Sequence, residues 1–124
     1  MRHYLDNGAS AYMYWNISLD KGGISRWGWA QNSLVVFDPD TKTFHYTPEY
    51  YVMKHLSHYV QPGARKLETS GQFSNLMAFV NPDKSIVVAL ANEGNEDRQV
   101  SVEIDGRVYQ PVLPAHSIAT LLID

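Results

Sequence analysis

Two textures run along this chain. Residues 9–19, Ala-Ser-Ala-Tyr-Met-Tyr-Trp-Asn-Ile-Ser-Leu, are apolar or aromatic with only Ser10, Asn16 and Ser18 interrupting, whereas residues 100–104, Val-Ser-Val-Glu-Ile, alternate strictly. Strict alternation predicts a strand with one buried and one wet face. A run that is apolar on both faces needs cover on both, as in a parallel sheet or a barrel interior. The first run predicts a strand over 9–19, and the few residues before it are too few to cover it.

Between these textures the pattern predicts further elements. Residues 1–6 followed by Asn7-Gly8 read as the last turn of a helix with a left-handed stop. Residues 20–32, with Gly22-Gly23, form a loop long enough to suggest a function. Residues 33–37 and 43–46 make a hairpin around Asp38-Pro39-Asp40-Thr41. Thr47-Pro48-Glu49 opens a helix with a capping hydroxyl, a proline at the first position and an acid in the first turn; it runs to about Tyr59 and stops at Gln61-Pro62-Gly63. Beyond it come short runs at 64–69, 76–80, 85–92, 99–104, 107–110 and 117–123. Turn signals sit at Asn81-Pro82-Asp83-Lys84 and Asp105-Gly106. Evenly spaced short strands predict an antiparallel sandwich.

Composition narrows the function classes. Ten basic against thirteen acidic residues, without a basic cluster, give no footprint for nucleic acid or an anionic membrane surface. No cysteine is present, so disulfides, thiolate catalysis and Cys-type zinc sites are excluded, while the compartment stays open. No apolar run approaches the ~20 residues of a membrane span, and no targeting segment is recognised. Aromatic residues are abundant, with eight Tyr, three Trp and four Phe, and two of the Trp sit in Arg26-Trp27-Gly28-Trp29. Aromatic faces suit protein cores and flat sugar rings.

The ordered set Tyr14-Trp15-Asn16-Ile17-Ser18-Leu19-Asp20, Gly22-Gly23, Trp27, Gln31-Asn32, Tyr46-Thr47-Pro48-Glu49-Tyr50-Tyr51, His55-Leu56-Ser57 and Val60-Gln61-Pro62-Gly63-Ala64-Arg65 resembles the C-terminal end of glycoside hydrolase family 30 over essentially the whole chain. That family includes glucosylceramidases, endo-β-1,6-glucanases and related retaining glycosidases. The resemblance implies a mainly β fold: an antiparallel, Greek-key-like β-sandwich with one short helix, preceded by a remnant strand of a (β/α)8 barrel. It implies a barrel remnant over residues 1–62 (last strand, loop, hairpin, helix) and a sandwich domain over 63–124. The strand at 9–19 would then be the eighth barrel strand, sheathed in the parent protein by barrel neighbours. A short segment from before the barrel joins the sandwich in this family, so an unpaired sandwich edge is expected.

Retaining glycosidases use two carboxyl groups about 5 Å apart. In the resembled family these lie on the fourth and seventh barrel strands, so none of the acids here is assigned as catalytic. Glu49 opens a helix, Asp38 and Asp40 flank a turn proline, Glu93, Glu96 and Asp97 populate a polar hairpin, and Asp20 reads as a loop acid that caps or is solvated. The expected substrate-binding residues are Trp15, whose family counterpart lines the pocket, with Asn16, Trp27 and Trp29. Core packing is the competing role for Trp15, strand closure for Asn16, and loop packing for Trp27, Trp29, Gln31 and Asn32. His55 and His58 are one helical turn apart but lack further ligands nearby, and His116 sits in a connection; no metal and no cofactor is expected.

The functional expectation is therefore the C-terminal part of a retaining β-glycosidase acting on a β-glucan such as β-1,6-glucan or on a glucosylceramide-like substrate. The sandwich would buttress a missing catalytic barrel, and the chain alone would not catalyse. The loop 24–32 looks closer to microbial β-1,6-glucanases than to lysosomal-type glucosylceramidases. Alternatives are a stand-alone carbohydrate-binding sandwich and a ligand-free structural or interaction domain. Self-association through the exposed strand is a further expectation. Family members are often secreted or periplasmic, but the sequence does not fix the localisation.

Overall fold

A computed structural model describes all residues Met1–Asp124. The chain divides into two compact units, Met1–Met53 and Lys54–Asp124.

In the first unit, helix α1 (Arg2–Asp6) ends as its sequence requires: the Asn7 side chain donates to the His3 carbonyl at 2.7 Å and Gly8 turns the chain at φ +90°. The strand expected over 9–19 is much shorter. Only β1 (Ser18–Asp20) joins a ladder, parallel to β2 (Val35–Asp38), with flanking bonds from Leu34 N–H to the Asn16 carbonyl (3.1 Å) and Val35 N–H to the Ile17 carbonyl (2.9 Å). Residues 10–15 pair with no backbone group of this chain, and without a neighbouring strand their β propensity has no ladder to enter. The hairpin of β2 with β3 (Thr43–Tyr46) forms in the expected place, Val35 opposite Tyr46 and Asp38 opposite Thr43. Asp38 Oδ1 accepts from Asp40 and Thr41 N–H and so builds the turn itself.

Helix α2 (Pro48–Ser57) starts at the expected proline, but the Thr47 hydroxyl does not cap it. It donates instead to the Ser33 carbonyl at 2.7 Å, while Thr47 N–H donates to the Leu34 carbonyl, fastening the helix start to the approach of β2.

The second unit is a two-layer β-structure. One layer is the antiparallel sheet β11-β6-β5-β4, from β4 (Arg65–Leu67), β5 (Leu76–Val80), β6 (Ile86–Asn92) and β11 (Ser117–Ile123). The other is a hairpin broken into β7 (Arg98–Gln99) and β8 (Val102–Ile104) on one arm, β9 (Arg107–Tyr109) and β10 (Val112–Leu113) on the other. The single strand expected over 99–104 is interrupted because Val100 N–H donates to the carbonyl of Pro111, which has no N–H to return the bond. Asp105-Gly106 takes two positive φ values, 49° and 76°, as a two-residue hairpin turn demands.

The core between the layers holds Ala78, Val88, Leu90, Val100 and Leu113, with Leu90 and Leu113 fully buried. Buried amides tie the turns to it. Asn81 accepts from Gln61 N–H and donates to the Tyr59 carbonyl and the Ser85 hydroxyl, joining the segment after α2 to the β5–β6 turn. Asn92 bonds the carbonyls of Glu96, Leu113 and Pro114 and accepts from Gly94 N–H. No helix is long and apolar enough to cross a membrane.

Candidate functional site

The loop after β1 is held at its base and at its tip. At the base Gly23 N–H donates to the Asp20 carbonyl and the Gly23 carbonyl accepts from Gln31 N–H at 2.8 Å. A Cβ at Gly23 would collide with the Gln31 carbonyl, so this close crossing requires glycine at a φ of +57°. At the tip Ser25 organises the turn. Its N–H donates to the Trp29 carbonyl, its carbonyl accepts from Gly28 N–H, and its hydroxyl oxygen accepts from both Trp27 N–H (3.3 Å) and Trp29 N–H (3.1 Å).

The result is a presented aromatic pair. The Trp27 and Trp29 rings lie 5.9 Å apart with an interplanar angle of 32°, each 65% exposed. The Arg26 guanidinium sits 4.6 Å from the Trp27 ring centre and has no carboxylate within ion-pair distance. Trp15 is 80% exposed and makes no ring contact with either indole. Asn16 is joined to Trp15 by a cis peptide bond and donates to Gln31 Oε1 at 3.3 Å, which fixes its amide against the end of the loop. Asn32 donates to Glu49 Oε1 at 3.2 Å, tying the same end to the first turn of α2. Of the residues expected to bind substrate, the structure brings Trp27 to Trp29 and Asn16 to the loop's end.

Beside the start of α2 a cavity of about 330 Å³ is lined by Tyr12, Tyr14, Pro48, Glu49, Val52 and others. Burial pushes the Tyr14 phenol above its usual pKa, with the Glu49 carboxylate adding to the effect. The anchoring role of Ser25 had no distinguishing sequence signal: a serine two and four residues from tryptophans becomes an anchor only once the turn closes.

The remaining candidates are engaged elsewhere. His55 Nδ1 meets the Thr120 hydroxyl at 3.0 Å, and that hydroxyl donates to the His55 carbonyl at 3.2 Å, while His58 is exposed and packs edge-on to Tyr59. Asp38 pairs with Lys21 at 3.0 Å; that bond, followed by the turn N–H groups, holds its carboxyl below the usual range. His116 Nε2 meets Asn95 Oδ1 at 2.8 Å. Glu93, Glu96 and Asp97 line a cavity of about 780 Å³ in the sandwich unit, where the one aromatic side chain, Phe73, is covered by Arg98 at 4.9 Å.

The second unit is a two-layer β-sandwich, joined in one chain to a strand–loop–hairpin–helix unit that presents tryptophans. Residues 63–121 match the glycosyl hydrolase family 30 beta sandwich domain, so the sandwich unit is a C-terminal domain of that family. The chain is 34% identical to a putative glucosylceramidase 2 of Caenorhabditis elegans over 87% of this chain and 23% of that protein. It is 30% identical to putative glucosylceramidase 1 of the same organism, over 96% of this chain and 25% of the relative. The endo-β-1,6-glucanase BT3312 superposes with a TM-score of 0.84 at 26% identity, over 98% of this chain and 28% of that one. The chain thus spans about a quarter of the length of the curated relatives it matches.

Proposed function

We propose that this chain is the C-terminal part of a retaining β-glycosidase acting on a β-glucan such as β-1,6-glucan or on a glucosylceramide-like glucoside. Residues 1–62 complete a catalytic barrel supplied by further polypeptide, and the sandwich over 63–124 buttresses it. Trp15, Asn16, Trp27 and Trp29 border the substrate cleft. The observation that carries this reading is the exposure of all three tryptophans at once, Trp15 just before β1 and Trp27 and Trp29 on a loop whose tip is locked by Ser25. An indole held rigid and open to solvent offers a stacking face to a sugar ring at little entropic cost.

The chain alone supplies no catalytic pair in this reading: Glu49 is bonded by Asn32, and Asp38 by Lys21. Incubated with β-1,6-glucan or a glucosylceramide analogue, it is expected to release no sugar in a reducing-end or fluorogenic assay. Turnover by the isolated chain overturns the assignment. In the complete protein, replacing Trp15 by alanine is expected to lower kcat/KM by about 10-fold or more, the loss of about 1.4 kcal/mol or more of transition-state binding.

The stand-alone sugar-binding sandwich is less well supported. All three Trp and six of the eight Tyr fall within residues 1–53, outside the sandwich unit. Exposed indoles likewise argue against a ligand-free domain whose aromatics are core.

A further inference from the structure

The β8–β9 turn, Asp105-Gly106, carries two adjacent reactive groups that nothing in the fold engages. Asp105 is exposed, its carboxylate enters no hydrogen bond or ion pair, and the Gly106 N–H donates to no group of the chain. The space beside Gly106 is open: a Cβ placed there would meet nothing within 4 Å. Asp105 is held at a φ of +49°, a strained conformation for a residue with a side chain. The strands that hold it there pair only with each other, Ile104 opposite Arg107 beside the turn, and a lone two-stranded ribbon is marginal in water. One other acid or amide precedes a glycine, Asn7-Gly8, and there both groups are occupied: the Asn7 amide donates to the His3 carbonyl and the Gly8 N–H to the Leu5 carbonyl.

We infer that Asp105 is a site of spontaneous covalent modification, isomerising to isoaspartate through a cyclic imide. The Gly106 nitrogen bonds to Asp105 Cγ, and the side-chain carboxyl, reacting in its protonated form, loses its hydroxyl, which leaves as water with the amide hydrogen. Water then adds to one of the two ring carbonyls. Opening at Cγ restores aspartate, whereas opening at the former backbone carbonyl leaves the chain running through Cβ and Cγ; no electrons are exchanged and the mass is unchanged. Glycine at 106 permits the attack because no Cβ stands beside the nucleophile. Turning the Asp105 backbone towards ring closure gives up only the turn itself and releases its positive φ. The product adds a backbone carbon to a two-residue turn, so Ile104 and Arg107 lose their register and Val102 and Ile104 are displaced from the margin of the core. The turn lies in the sandwich unit, and the inference uses nothing from the glycosidase reading.

Trypsin isolates the site, since it cuts after Arg98 and Arg107 and the peptide 99–107 holds Asp105 as its only Asp or Asn. The full 124-residue chain is kept folded at neutral pH and physiological temperature, beside a sample in concentrated urea, and both are digested at intervals. Isoaspartate is read as a chromatographically separate form of peptide 99–107 with equal mass that accepts a methyl group from S-adenosylmethionine and an isoaspartyl methyltransferase. It is expected to accumulate in the folded chain at a rate within about tenfold of that in urea, because the tip opens locally at little cost. Asp105→Asn, which suits the same positive φ and carries a better leaving group, is expected to convert faster and with the mass gain of amide to acid. No isoaspartate in the peptide, or a folded-state rate more than about tenfold below that in urea, overturns the inference. So does a D105N variant that stays unconverted in the folded chain.

Discussion

Ser25 decides the shape of the presented loop at the scale of single residues. One hydroxyl oxygen accepts two backbone N–H groups in a half-buried position, and its own N–H and carbonyl close the turn from the other side. Removing it leaves two donors to find water, at a cost of about 1 kcal/mol of local stability. Ser25→Ala is therefore expected to loosen the Trp27–Trp29 pair without unfolding the chain, read as faster fluorescence depolarisation and easier acrylamide quenching. Ser25→Thr, which keeps the oxygen, is expected to retain most of the parent behaviour. Gly23 was marked in the sequence by the Gly-Gly pair, and the structure supplies the reason: the Gln31 carbonyl occupies the space of a Cβ. Ser25 was not marked, since its role depends on a turn that brings residues 27 and 29 back over it.

Most elements were legible because their signals are local. The β2–β3 turn is built by Asp38 from adjacent residues, α2 begins at a proline, and the β8–β9 turn has Gly106 where a positive φ is needed. Where the reading failed, the deciding partner was distant in sequence. The strand over 9–19 shrank to Ser18–Asp20 for want of a neighbour, Thr47 turned its hydroxyl to Ser33 rather than to its own helix, and Pro111 split the arm opposite it. The end of α2 makes one pH-dependent contribution. Burial, and secondarily the Lys54 charge, hold the His55 pKa below its usual value, so the folded state favours the neutral ring bonded to Thr120. The unfolded chain takes up a proton near pH ~6.5, and stability from this ring, complete above that pH, declines as pH falls through it. Urea midpoints are expected to drop between pH ~7.5 and pH ~5.5, with a smaller drop in His55→Gln.

At the scale of the molecule, stability of the sandwich unit rests on a small core. Leu90 has no exposed surface and packs with Ala78, Val88, Val100 and Leu113. Leu90→Ala is expected to cost about 2–5 kcal/mol, measured as a lowered urea midpoint at unchanged slope. Alternation along residues 100–104 predicts a strand with one buried face, and Val100 on that face joins this core. The aromatic wealth of the chain was ambiguous from sequence alone, because the same residue types fill cores and line sugar clefts; in this chain Trp15, Trp27 and Trp29 are not core residues.

The placement of those three rings has an experimental consequence. Every indole lies among residues 15–29, and the sandwich unit owns only the phenols of Tyr59 and Tyr109. Indole-selective excitation therefore observes the first unit while remaining blind to the second, and far-ultraviolet dichroism weighs the strand-rich remainder. A denaturation curve recorded both ways splits into two transitions if each half melts on its own terms, and superposes if they melt as one body.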